Sequence, residues 1–228
     1  QTFEPGEEFS FHLILIGNAI DYLPYFIYTF TELGKQGIGQ GRGKYDLIQV
    51  EGMDLEGAQQ CLGRAYVAGF GYALAHGADH IVEMDADLSH SPSYLPQIVA
   101  KMADYDVVIG SRYVPGGSVD EHWSVYRKLL SWWGGHVYAP LILGLSVNDA
   151  TTGFKCFRRS ALAGINLEQV RSNGYAFQVE MAYICQRKGY RVYELPIHFE
   201  DRTSGKSKMN WRISAEAVWR VWQIRFRF

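Results

Sequence analysis

The chain has little of what would staple, span or disorder a protein. Three cysteines in 228 residues, Cys61, Cys156 and Cys185, are an odd number with no Cys-x-x-Cys pair. That excludes a disulfide framework and the common zinc and redox motifs, and it fits a reducing compartment. Seven prolines, no glycine repeat and 20% charged residues exclude collagen, coiled coil and a disordered chain. No apolar run approaches the ~20 residues of a membrane-spanning helix. The longest, Val137 to Val147, is broken by Pro140, Gly144 and Ser146. Glu4, Glu7 and Glu8 make the opening residues acidic where a secretory leader is basic. The net charge is only −2, so no global field advertises nucleic acid.

What is present is a globular chain, 47% hydrophobic and 14% aromatic. Its length suits one α/β domain, burying about 70–75% of the unfolded chain's surface. The charge is unevenly placed. From Asp201 onward, seven bases face two acids, a local +5, which leaves −7 on residues 1–200. The basic end is interleaved with Trp211, Trp219, Trp222, Phe226 and Phe228. That pattern fits an anionic partner: phosphate, membrane surface or both.

Hydrophobic patterning alternates strand and helix, which predicts a mostly parallel sheet flanked by helices. Strands are expected at Phe11–Ile16, Leu47–Val50, His80–Met84, Asp106–Ile109, Phe154–Phe157 and Tyr190–Leu195. Helices are expected at Tyr22–Leu33, Leu55–His76, Tyr94–Tyr105 and Tyr175–Lys188. Tyr126–Leu145 reads as a helix interrupted by Gly134-Gly135 and Pro140, and Gly34–Lys44 as a glycine-rich loop.

That loop is not a Walker A motif, because Ile38 and Tyr45 stand where Gly and Ser or Thr are required. His76 and His80 lack the intervening glutamate of H-E-x-x-H. Asp85 and Asp87 close an apolar strand two residues apart, so both carboxylates can converge on one cation. Arg112 closes the next strand at the same sheet edge. Arg127 and Ser131, four apart, share a helical face suited to a phosphate. Asn148 through Gly153 is a polar turn, and Asp201 through Lys208 a basic loop of small residues. Each alone reads as solvated charge; together they form a diphosphate site.

The motif order resembles the dolichol- and polyprenol-phosphate mannose synthases, inverting glycosyltransferases of the GT-A fold, from about Leu62 to the C-terminus. The markers are Leu62-Gly63-Arg64-Ala65-Tyr66, Met84-Asp85-Ala86-Asp87-Leu88-Ser89-His90, Gly110-Ser111-Arg112-Tyr113, Arg127-Lys128-Leu129-Leu130-Ser131, Thr152-Gly153-Phe154-Lys155 and Arg202 through Lys208. The resemblance implies GDP-mannose as donor and polyprenyl phosphate as acceptor. It assigns Asp85, Ala86 and Asp87 to the nucleotide diphosphate and its Mg²⁺ or Mn²⁺. Arg112, Arg127 and Ser131 would meet the transferred or lipid phosphate, and Arg202 and Lys208 the donor phosphates. The first sixty residues depart from the family pattern. Ile16-Gly17-Asn18-Ala19 and Val50-Glu51-Gly52-Met53 replace its Pro-Thr-Tyr-Asn-Glu and Asp-Asp-Gly-Ser strand ends.

The expected layout is therefore one domain in three parts. Residues 1–61 form an atypical nucleotide-binding half, 62–210 the metal, donor and acceptor region, and 211–228 an amphipathic helix. The expected location is the cytoplasmic face of a membrane. Trp132, Trp133, the Val137–Val147 stretch and the C-terminal helix would lie in the interface there, or a membrane-anchoring partner subunit would supply the contact. Transfer of glucose or another sugar, and a non-catalytic lipid-phosphate-binding role, are the competing readings.

Overall fold

The computed structural model describes residues 10–16, 26–31, 44–49, 62–85, 87, 89–201 and 211–228. In chain order these form β1 (Ser10–Ile16), β2 (Phe26–Thr31), β3 (Lys44–Gln49), α1 (Leu62–Ala75) and β4 (His80–Asp85). Next come α2 (Leu95–Lys101), β5 (Val107–Ser111), β6 (Ser118–Val119), α3 (Val125–Trp132) and α4 (Ala139–Leu143). The chain continues through β7 (Lys155–Arg158), α5 (Arg159–Ala163), α6 (Gly174–Arg187), β8 (Val192–Pro196), β9 (His198–Phe199) and α7 (Trp211–Arg227).

Seven strands make one sheet in the order β3-β2-β1-β4-β7-β5-β8, and β6 pairs with β9 separately. The α/β class is as expected, but the sheet is mixed rather than mostly parallel. The β1–β4 and β5–β8 pairs are parallel, and the pairs made by β2 and β7 are antiparallel. One cause is the expected helix at Tyr22–Leu33, where Phe26–Thr31 is instead a strand beside β1. Its Phe-Ile-Tyr-Thr-Phe-Thr composition is aromatic and β-branched, which favours a pleated surface over a helix. The expected loop at Gly34–Lys44 and the start of the helix at Leu55 lie almost wholly outside the described residues.

Strand alternation divides the core between the two faces of the sheet. Ile81, Val107, Ile109 and Phe157 face one cluster with Tyr66, Phe70 and Phe177 of α1 and α6. Val82, Met84, Val108 and Cys156 face the other, with Ile98 and Met102 around α2. Tyr66, Phe70 and Ala73 are fully buried and recur at helical spacing, so α1 docks by one stripe. Each large apolar side chain buried this way stabilises the fold by about 1.5–3 kcal/mol.

The segment after β6 is one nearly continuous helical run. Gly134 and Gly135 do not break it; they fall in a π-helical turn, Trp133–Tyr138, between α3 and α4. Of the apolar stretch expected at an interface, Ala139, Leu143 and Val147 pack into the core, and Leu141 is exposed. In α7, Val221 and Ile224 are buried whereas Trp219 and Phe226 face outward. No helix among the described residues is long and apolar enough to cross a membrane.

Candidate active site at the carboxyl edge of the sheet

Because β7 runs antiparallel to β4 and β5, its lead-in lies at the edge where those two strands end. That register brings Asp85, Arg112 and the Asp149–Gly153 turn together, although they are far apart in sequence. Asp85 ends β4 with its carboxylate backed by the Tyr66 hydroxyl, which donates to Oδ1 at 3.3 Å. Burial, and then the Asp85 charge, push the Tyr66 pKa well above its ordinary value, so it remains a donor. His90 Nδ1 lies 3.8 Å from Asp85 Oδ2. Burial, and then the Arg112 charge, pull the His90 pKa down to about 3, so its ring is neutral at pH 7. Gly153 packs tightly here, since a Cβ would stand 3.1 Å from Asp85 Oδ1. Asp87 Oδ1 accepts from the Ser89 amide at 3.1 Å and hydroxyl at 2.5 Å, which turns the chain back after the strand.

Arg112 is nine-tenths buried, and its fork is committed to Asp149. Nε and Nη2 donate to the two carboxylate oxygens at 2.7 Å each, and Nη2 also reaches Thr151 Oγ1 at 2.9 Å. Burial alone would raise the Asp149 pKa, but the arginine overrides it and holds the carboxyl below its usual range. Glu194 on β8 fixes the same turn by accepting from the Asn148 and Asp149 amides at 2.8 and 3.0 Å. The π-turn packs against it. A Cβ on Gly135 would meet Thr151 Oγ1 at 2.6 Å, and the Gly135 carbonyl accepts from the Ala150 amide. The expectation that Arg112 meets a phosphate directly is therefore narrowed: it lines the cavity with two nitrogens already used by Asp149.

Arg127 and Ser131 do share a face of α3, as their spacing predicts. Ser124 caps the helix and accepts from the Arg127 amide at 3.3 Å. The Arg127 guanidinium lies 3.7 Å over the Trp123 ring and donates to Asp201 at 2.9 Å. Ser131 Oγ accepts from the Tyr113 hydroxyl at 2.7 Å. Asp85, Arg112, Arg127 and Ser131 all open into one cavity of about 210 Å³. Ala86, Arg202 and Lys208 lie outside the described residues.

Residues 54–165 match glycosyl transferase family 2, and residues 1–68 match a family described as an N-terminal domain. The chain is also 44% identical to the undecaprenyl-phosphate mannosyltransferase of Micrococcus luteus over 169 residues, 73% of this chain and 69% of that protein. The chain belongs to glycosyl transferase family 2. A second relative of this glycosyltransferase is the polyprenol monophosphomannose synthase of Mycolicibacterium smegmatis. It is 41% identical over 73% of this chain, which spans 63% of that protein. Among solved structures, glucosyl-3-phosphoglycerate synthase from Mycobacterium tuberculosis is similar at a TM-score of 0.48 and 15% identity. That match covers 72% of this chain and 54% of the other. The same synthase has been solved with Mn²⁺, uridine diphosphate and phosphoglyceric acid.

Asp85, at the end of β4, is a carboxylate of the type that hard divalent cations take as a ligand. Among the described residues, no group of three or more His, Cys, Asp or Glu side chains gathers. Two carboxylates suffice for Mg²⁺ or Mn²⁺ when substrate phosphates and water complete the shell.

Sequence reading missed much of this glycosyltransferase's supporting layer. Asp149 was visible only as a turn residue, and its arginine lies 37 positions away. Lys155 and Glu83 are fully buried and paired at 3.3 Å, opposite each other on β7 and β4. Lys155 Nζ also donates to the Thr152 carbonyl at 2.5 Å and to Gln178 Oε1, which ties the β7 lead-in to α6. Desolvation pushes the Glu83 pKa up to about 7 against the pull of Lys155, whose own pKa is lowered by burial.

Proposed function

We propose that this glycosyltransferase moves mannose from GDP-mannose to a polyprenyl monophosphate with inversion at the anomeric carbon. The observation that carries the reading is the shared cavity, lined by Asp85, Arg112, Arg127 and Ser131 together. The names of the two relatives support the sugar and the lipid phosphate.

The acceptor needs little help from a base. A phosphate monoester has a second pKa near ~6, so at pH 7 its oxygen is already an anion able to attack the sugar. The residues present agree with that economy: His90 is buried and neutral, and Asp149 is locked to Arg112. Arg127 and Ser131 would orient the attacking phosphate, with Tyr113 fixing the serine hydroxyl. Asp85 and Asp87 would hold Mg²⁺ or Mn²⁺, which when bound neutralises charge developing on the departing diphosphate. Arg202 and Lys208 would add positive charge on the donor side.

The reaction belongs at a membrane surface, because the acceptor is lipid-anchored. Val125, Tyr126, Leu129 and Trp132 are exposed along α3 and Trp133 at the start of the π-turn, and α7 exposes Trp219 and Phe226 beside Arg220 and Arg225. Aromatic groups favour the headgroup level, and each arginine near an anionic leaflet adds about 1 kcal/mol.

The test is transfer of labelled sugar to polyprenyl phosphate, comparing GDP-mannose with UDP-glucose, with and without Mn²⁺. Metal-dependent mannosyl transfer is expected. Equal or better transfer from UDP-glucose would replace the sugar assignment, and no transfer from either donor would support the non-catalytic reading. Co-sedimentation with anionic vesicles at low and high salt reads the membrane contact; protein left in the supernatant at low salt would point to an anchoring partner subunit.

A further inference from the structure

Arg127 is held by an aromatic pair that the chemistry above leaves without a role. Trp123 and Phe199 both line the cavity, and both are buried. Neither belongs to the two apolar clusters that pack the faces of the sheet. The Trp123 ring has other neighbours. The Arg127 guanidinium lies 3.7 Å from its centroid, and Phe199 meets it edge-on at 5.5 Å and 75°. Phe199 is also edge-on to His90, at 5.0 Å. The backbone repeats these links. The Trp123 amide donates to the Asp120 carbonyl at 3.3 Å, and the Asp120 amide to the Phe199 carbonyl at 2.9 Å. The Asp201 amide donates to Asp120 Oδ2 at 2.9 Å. Between them, the Glu200 amide donates to the Ser89 carbonyl at 3.2 Å, and Ser89 in turn holds Asp87. The end of β9 is thereby tied both to the Trp123–Arg127 stack and to the turn after β4.

We propose that Trp123, backed by Phe199, is a positioning residue that holds the Arg127 guanidinium in the cavity wall for the acceptor phosphate. The inference rests on the acceptor assignment of Arg127. The choice of side chain argues for the role. Among the described residues the buried indole Nε1 has no hydrogen-bond partner, so the indole is not kept for its N–H. A phenyl or leucine side chain would pack without stranding a donor. What indole adds is the aromatic face that best attracts a cation. Stacking also suits the task. A fixed arginine loses rotamer freedom, and a partly exposed ion pair such as that with Asp201 is a weak tether. Among the described residues the guanidinium donates only through Nη1, to Asp201. Contact through the flat face consumes no N–H, so Nε and Nη2 stay available to phosphate oxygens in the guanidinium plane.

The experiment is a double-mutant cycle on the full chain, with farnesyl phosphate as a soluble probe and calorimetry as the readout. Trp123→Leu should weaken farnesyl phosphate binding about fivefold, the size of a partly desolvated cation–π contact. Trp123→Phe, which keeps a ring, should stay within about twofold of the unmodified chain. In an Arg127→Ala background, Trp123→Leu should cost nothing further, because the group it positions is gone. GDP affinity with Mn²⁺ should hold in both Trp123 variants. Phe199→Leu supplies a second cycle with the same signs should Trp123→Leu fail to fold. A loss that persists in the Arg127→Ala background would show Trp123 acting through packing and overturn the proposal, as would unchanged binding in folded Trp123→Leu. Arg127→Ala without effect on binding would remove the acceptor assignment itself and the brace with it. If the cycle holds but no mannose is transferred from GDP-mannose, the transfer reading falls and the brace stands.

Discussion

The ion pairs around the cavity are built in two opposite ways. Glu83 and Lys155 expose none of their side chains, whereas Arg127 and Asp201 leave 34% and 41% of theirs in water. Arg112 and Asp149 belong with the first kind, at 7% and 0%. The buried pairs sit behind the β4 and β7 ends and cannot exchange partners without exposing a charge to the core. The exposed pair joins Arg127 of α3 to Asp201 after β9, where a phosphate can compete with Asp201 for the same guanidinium. A buried, locked layer of ion pairs thus contrasts with a cation on α3 that is about one-third exposed, the one proposed to meet the acceptor.

Breaking the buried side should have the largest effect. Lys155→Met strands Glu83 in the core and should destabilise the fold by about 3–5 kcal/mol, read from urea unfolding. Adding Glu83→Leu should recover much of that loss, because two apolar groups replace a costly pair; no recovery would mean that Lys155 acts through its Thr152 and Gln178 contacts instead. On the donor side, Asp87→Asn should remove the metal-dependent part of GDP binding while unfolding stays near its original midpoint. Unchanged affinity with Mn²⁺ would sink the metal assignment.

The buried side also predicts a pH response. His80 is 4% exposed, and burial, then the charge of Arg158, pull its pKa from 6.5 to about 4. The unfolded chain therefore binds a proton between pH 6.5 and 4 that the folded chain refuses, so stability falls as pH drops through that window. The slope from one such group is at most about 1.4 kcal/mol per pH unit. A His80→Leu variant should show a flatter fall in urea midpoint from pH 6.5 to 4.5, and an identical fall would clear His80 of the effect. The smallest stability change belongs to the exposed side. Arg127→Ala should alter unfolding by only about 0–1 kcal/mol. It should nevertheless raise the acceptor KM and leave GDP affinity alone, and lost GDP binding would move Arg127 to the donor side.

How well each feature could be read from sequence follows the distance over which it is built. The Asp85 carboxylate at the end of β4 was legible because a strand end is a local feature, whereas Asp87 lies past the strand in a turn closed by Ser89. Arg127 and Ser131 were legible because α3 keeps its 3.6-residue period. Helix β-propensity conflicts were less forgiving: Phe26–Thr31 carries aromatic spacing that mimics a helix, and its pairing with β1 overrides that spacing. The role of Asp149 was hidden because a turn carboxylate has no sequence mark that distinguishes solvent from an arginine 37 residues away.

By itself the sequence determined the α/β class, the aspartate that closes β4 and the shared face of Arg127 and Ser131 on α3. Each follows from composition or from a period shorter than one element. Only the tertiary structure decided the antiparallel course of β7, the Arg112–Asp149 fork and the buried Glu83–Lys155 pair. These depend on which strands become neighbours, and sheet order is set by packing the whole core rather than by any local run of residues.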